Sequence, residues 1–152
     1  MNPKQELFLE LVREIRIVEI LQDTGDTRYE TSGIYARDNY LYIIFDDDPH
    51  LLRIHQDLNP APGEFLLQEL NGSAKGYEDI TYQSSTGHWV CLVEAAKTSS
   101  GTFMPHVDIF DESFSFIKSS WLDFPLKAGN KGFEGLAFLH HEGNEYLLCL
   151  CE

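Results

Sequence analysis

Apolar and polar positions alternate in short runs along most of this chain, with glycine, proline, asparagine and aspartate between the runs. Alternation of this kind, bounded by turn formers, predicts half-buried β-strands. The runs place strands near residues 32–36, 40–46, 50–55 and 64–70, then near 77–83, 88–95, 105–110 and 114–119, and finally near 132–138 and 145–151. Asp38-Asn39 is the tight connection inside the first group. Asp46-Asp47-Asp48-Pro49, Pro60 and Pro62-Gly63 supply the other breaks there, and Ser84–Gly87, Lys97–Gly101 and Asp111-Glu112 those of the second. Ahead of these groups, Glu14–Ile20 reads as one more strand, followed by turn residues Asp23–Asp26. Residues 5–12 read as two turns of helix, with Phe8, Leu11 and Val12 on one side.

The strands therefore fall into groups of one, four, four and two. Groups of four antiparallel strands are the blades of a β-propeller. Leu41–Phe45, Trp89–Val93 and Leu147–Cys151 are apolar throughout, as suits inner strands covered on both faces. The predicted fold is all-β, a partial β-propeller of about two and a half four-stranded blades. Residues 1–27 form an N-terminal segment whose strand can close a ring. Residues 28–70 make one blade, 71–128 a second, and 129–152 the first half of a third. The remaining blades are expected from a longer chain.

An internal repeat supports this division. Lys75-Gly76-Tyr77-Glu78-Asp79-Ile80-Thr81-Tyr82 matches Lys131-Gly132-Phe133-Glu134-Gly135-Leu136-Ala137-Phe138, 56 residues on. A fainter copy, Tyr29-Glu30-Thr31-Ser32-Gly33-Ile34-Tyr35, aligns Gly33 with Asp79, 46 residues apart. Each copy leads into an apolar run, and each run is followed by an acid: Asp46, Glu94 and Glu152. In an antiparallel hairpin the start of one strand lies beside the end of the other. Glu78 is thus expected beside Glu94, Glu134 beside Glu152, and Ser32 or Glu30 beside Asp46. If the first strand of each blade lines a central channel, these acids gather at one mouth of it. Their mutual repulsion can be offset in three ways: by a hard cation such as calcium with oxygen ligands, by Lys75 and Lys131, or by backbone N–H groups of the neighbouring blade.

Composition narrows the partners. The 152 residues are 43% hydrophobic and 12% aromatic, too apolar for a disordered chain. Twenty-five acids against 11 bases give a formal net charge of −14, which repels phosphate backbones and argues against a nucleic-acid partner. Such a charge suits cation binding and plain solubility alike. No apolar run reaches the roughly 18 residues of a membrane-spanning helix. The first eleven residues carry Lys4, Glu6 and Glu10 and do not read as a secretory signal. A reduced cytoplasm and secretion of a longer form both remain open. Cys91, Cys149 and Cys151 form no disulfide framework, and the last two share a strand face as small apolar residues.

At the E-[GD]-[IL] starts Glu134-Gly135-Leu136 and Glu78-Asp79-Ile80, and at the strand-ending acids Glu94 and Glu152, the sequence resembles the phytase-like propellers. In particular it resembles the family described as "esterase-like activity of phytase". Thr31-Ser32-Gly33-Ile34 and Phe45-Asp46-Asp47 fit the same scheme, while Asp79 stands where the pattern has glycine. The resemblance implies six blades, calcium at the channel mouth, and phosphoester or ester hydrolysis. On that reading Glu78, Glu94, Glu134, Glu152 and Asp46 hold the metal, and Lys75 and Lys131 meet the charge of a small-molecule substrate. The alternative is a propeller without catalysis, serving as a ligand-binding or protein-interaction platform.

Other motifs carry less. There is no G-x-S-x-G and no Walker loop. His140-His141 reads as a hairpin tip, Asp47 and Asp48 as a solvated turn, and Trp89 and Trp121 as packing between blades. His106, after Pro105, opens a strand and nothing in the pattern selects it.

Overall fold

The computed structural model describes residues 9–23, 28–59, 61, 64–74, 76–126 and 132–151, with Glu94 described for its backbone alone. Among these, ten strands follow one short helix: α1 (Ile17–Ile20), β1 (Thr31–Arg37), β2 (Tyr40–Phe45), β3 (His50–His55), β4 (Phe65–Glu69), β5 (Asp79–Gln83), β6 (His88–Lys97), β7 (Phe103–Phe110), β8 (Phe116–Trp121), β9 (Phe133–His141) and β10 (Asn144–Cys151). Three antiparallel sheets result, in the orders β1-β2-β3-β4, β5-β6-β7-β8 and β9-β10. None of them closes into a barrel.

Local chemistry sets the turns. Arg37 pairs with Tyr40 and His141 with Asn144, so both hairpins close through two residues. Asp38 and Asn39 take φ of 52° and 66°, and Glu142 and Gly143 take 49° and 77°. Two successive positive φ values suit the right-handed twist of the strands they join. Between β7 and β8, Asp111 Oδ1 accepts from the N–H groups of Ser113 and Ser115, each at 2.9 Å, which folds the chain back sharply enough to leave Phe114 at φ 62°.

The sheets stack face to face. Tyr42, Ile44 and Leu51 of the first sheet meet Ile80, Trp89, Cys91 and Phe110 of the second. Val90, Leu92 and Val107, on the second sheet's other face, meet Phe133 and Leu136 of the third. The far face of the first sheet, with Ile43, Phe45, Leu52 and Ile54, is covered by Ile20, helped by Ile15 and Ile17. Trp89 sits at the centre, wholly buried and ringed by Tyr35, Tyr42, Tyr82 and Phe114.

Four expectations change here. Glu14–Ile20 is not a strand; its second half forms α1. Ile17, Ile20 and Leu21 fall at helical spacing and face the first sheet together, and so short an apolar run fits either period. Trp121 is no interlayer residue: it lies half exposed on β8, 4.8 Å from the His106 ring. His140 and His141 end β9, and the turn itself is Glu142-Gly143. Residues 9–12 carry no helix, and residues 5–8 of the expected helix lie outside the described residues. So do Gly25, Pro60 and Pro62-Gly63.

Candidate functional site

The three copies of the repeat come together. A side-chain carbon on Gly33 would stand 2.7 Å from the Asp79 Cα, and one on Gly135 would stand 3.7 Å from Asp79 Oδ2. The aligned positions Gly33, Asp79 and Gly135 are thus neighbours in space, and β1, β5 and β9 begin at one end of the stack.

Much of the repeat serves this join. Gly76 lies so close to β2 that a Cβ there would fall 1.2 Å from the Asp46 carbonyl oxygen. The next residue, Tyr77, donates its N–H to the Phe45 carbonyl at 3.0 Å and accepts the Ser32 hydroxyl at its own carbonyl. Asp79 then reaches the third sheet: Oδ2 accepts the Leu136 N–H at 2.6 Å, and Oδ1 accepts the Ile80 N–H at 2.8 Å. Burial raises the Asp79 pKa, and the two backbone N–H groups oppose the rise. Glycine, aromatic ring and aspartate therefore act as interlayer fastenings.

The acids behave differently. Asp46 donates its N–H to the Glu30 carbonyl at 2.9 Å, which sets the two residues side by side at the end of the β1–β2 hairpin. Among the described residues, Glu30, Asp46 and Asp47 form a group whose carboxylate oxygens all lie within 4.8 Å of one another. Of the two partners the sequence offered Asp46, the side chains select Glu30. Ser32 turns instead to Tyr77. Asp47, expected as surface, joins the group; the adjacent acids Asp46-Asp47 were the signal for it. Asp48 binds its own turn, accepting the His50 N–H at 3.0 Å. Arg28 holds Glu30 at 2.8 Å and offsets part of the charge. Three clustered carboxylates suit a hard divalent cation, with water completing the coordination.

Glu78 stands at the start of β5, where its N–H donates to the Leu92 carbonyl at 3.0 Å. The pairing of Asp79 with Leu92 brings it level with the middle of β6, next to the irregularity between Val93 and Ala96 that contains Glu94. Glu134 is exposed near the start of β9, level with the irregularity between Leu150 and Cys151. The side chain of Glu94, and the whole of Glu152, Lys75 and Lys131, lie outside the described residues.

A second polar cluster lies between the 72–77 segment and the outer strands of the second sheet. Asp108 is fully buried, and its carboxylate accepts four hydrogen bonds. Oδ2 takes the Ser73 N–H at 2.6 Å and the Tyr77 hydroxyl at 3.0 Å. Oδ1 takes the Ser73 and Ser119 hydroxyls, each at 2.6 Å. Burial pushes the Tyr77 phenol up strongly, so it stays a donor. Ser73 Oγ also lies 3.0 Å from His106 Nε2. With the serine proton committed to Asp108, the imidazole donates from Nε2, and its buried Nδ1 has no partner among the described residues. A nucleophilic triad has the opposite wiring, with the carboxylate on the imidazole and the imidazole taking the serine proton. This cluster is a buried anchor, and Gly72 packs over it with no room for a side chain.

Comparison with known proteins yields no match to a family model, to a curated protein or to a solved structure.

Proposed function

We propose that the chain forms consecutive blades of a β-propeller of phytase-like type, and that the acids at the head of its first strands bind a divalent cation, calcium by preference. The observation that carries this reading is the convergence of Glu30, Asp46 and Asp47 where the first strand begins and the second ends. On the alignment of the repeat, Glu78 and Glu134 stand at the place of Ser32, two residues after Glu30, and Glu94 and Glu152 follow their apolar runs as Asp46 follows its own. A cation held there would supply positive charge to polarise a phosphoryl or carbonyl oxygen and to acidify bound water, the chemistry of a metal-dependent phosphoesterase or esterase. Lys75 and Lys131 would then offset the charge of an anionic substrate.

An open cluster with two exposed members binds weakly, with a Kd on the order of 10⁻⁴ to 10⁻³ M. Calorimetric titration with calcium tests this. The expected result is binding in that range, a rise in melting temperature with calcium, and at least about a tenfold loss of affinity in Asp46→Asn. A titration without heat, together with a melting temperature indifferent to chelator, sinks the reading.

One observation favours a second reading. The carboxylate of Asp79 is taken up by backbone N–H groups of its own and the next sheet, as structural acids in a binding platform would be. Calcium affinity with no hydrolysis of p-nitrophenyl phosphate or acetate would select that platform.

A further inference from the structure

The segment between β4 and β5 carries the chain from the first sheet to the second, and it is pinned at two closely spaced points. The Leu70 N–H donates to the Pro49 carbonyl at 2.6 Å. The Ser73 N–H donates to Asp108 Oδ2 at 2.6 Å. Asn71 and Gly72 lie between these bonds. Asn71 is exposed, and among the described residues nothing bonds its carboxamide or the Gly72 N–H. Of the asparagines in the chain, Asn71 alone is followed by glycine. The others precede proline, tyrosine, lysine or glutamate, whose rings or side chains obstruct their own backbone nitrogen.

We propose that Asn71 is a site of spontaneous covalent modification in the folded protein, converting to aspartate and isoaspartate. The Gly72 nitrogen, unshielded because glycine has no Cβ, gives up its proton and attacks the side-chain carbonyl carbon of Asn71. A nitrogen–carbon bond forms and closes a succinimide ring. The carboxamide carbon–nitrogen bond breaks, and ammonia leaves with a proton. Water then opens the ring at either carbonyl. Opening at the side-chain carbonyl restores the ordinary backbone and leaves aspartate. Opening at the main-chain carbonyl routes the backbone through the former side chain, lengthens it by a methylene and leaves the main-chain carbonyl as the free carboxylate. The two products differ in consequence. Asn71 faces solvent, so aspartate there adds a surface charge and disturbs little. Isoaspartate lengthens the backbone between two fixed bonds, and Gly72 has no space to absorb it: a Cβ there would stand 2.1 Å from Tyr77 Oη and 2.5 Å from Asp108 Oδ2. The longer chain displaces Gly72 or Ser73 from the cluster, and buried Asp108 loses hydrogen bonds that water does not replace. Isoaspartate therefore loosens the anchor of this crossover on the second sheet. None of this depends on the cation site.

Incubation of the native 152-residue chain at body temperature, in alkaline and in mildly acidic buffer, tests the proposal by peptide mapping. The peptide that contains Asn71 should gain the mass of an amide turned acid, faster in alkaline buffer, where the attacking nitrogen loses its proton more readily. Peptides with Asn39 and Asn144 should stay unchanged, and Asn71→Gln should abolish the gain. Ion exchange separates the product by its added negative charge, and isoaspartate methyltransferase labels the rerouted form. The labelled fraction should melt below the unmodified protein, while Asn71→Asp should melt with it. If Asn71→Gln does not fold, the Asn39 and Asn144 peptides of the wild type serve as the comparison. An Asn71 left intact in the native chain overturns the proposal, and conversion confined to the chain in urea would show that the two flanking bonds protect the site. A labelled fraction that melts with the unmodified protein overturns the loosening of the anchor.

Discussion

His106 is enclosed on β7 between the Ser73 hydroxyl and the Trp121 ring, with Asp108 beyond the serine. Burial lowers its pKa, and the charge of Asp108 works against that shift. An imidazole whose folded pKa lies below its ordinary value of about 6.5 stays neutral in the fold while the unfolded chain takes up a proton. The unfolded state then binds more protons, so stability falls as pH drops from neutral through that range and recovers as pH rises. Urea midpoints measured between pH 7.5 and pH 5.5 should decline, and His106→Leu should flatten the decline while lowering the midpoint at pH 7.5. An equal slope in the variant would remove His106 as the cause. Nothing along the chain picks out this histidine, because its partners Ser73 and Trp121 are 33 and 15 residues away and meet it only in the fold. The glycines are more readable. Gly76 and Gly33 recur at fixed places in the repeat, and both lie where one sheet's backbone touches the next. The sequence marks the position; the coordinates show that the reason is steric.

At the scale of elements, turn chemistry and apolar runs made all ten strands legible, because hairpins are local and each apolar run is covered on at least one face. The helix was misread, since four residues carry too little periodicity to separate a turn of helix from a strand. The two tight hairpins can be tested separately from any packing. Gly143 has φ 77°, and a Cβ there meets nothing within 4 Å. Gly143→Ala should therefore cost about 1 kcal/mol, the conformational penalty of an ordinary residue in left-handed backbone. Chemical denaturation of wild type and variant measures it. A cost near zero would mean that the turn re-forms with other dihedrals.

Across the molecule, the repeat predicted which strands lie together, and three stacked sheets bear out the all-β class. The site was legible in part. Asp46 and Glu30 follow from hairpin geometry, whereas the interlayer bonds of Asp79 depend on the neighbouring sheet and leave no signature in composition. The stack converges on Trp89, which touches aromatic side chains of the first two sheets at once. Trp89→Ala should cost about 3–5 kcal/mol. Against the 5–15 kcal/mol by which a domain is commonly stable, roughly a fifth or more of the total is at stake. Tryptophan removal with less than about 1 kcal/mol lost would show that the first and second sheets hold together by other means.

Several fastenings between sheets, from Ser32 to Tyr77, from Tyr77 to Phe45, from Asp79 to Leu136 and from Gln83 to Glu145, lie along the first and second strands. The fourth strands, β4 and β8, run largely exposed at the far side. The body is bound like a book, stitched along its spine. Thermal motion can part the outer margins of the pages while the stitched edge, with the acids beside it, keeps its shape.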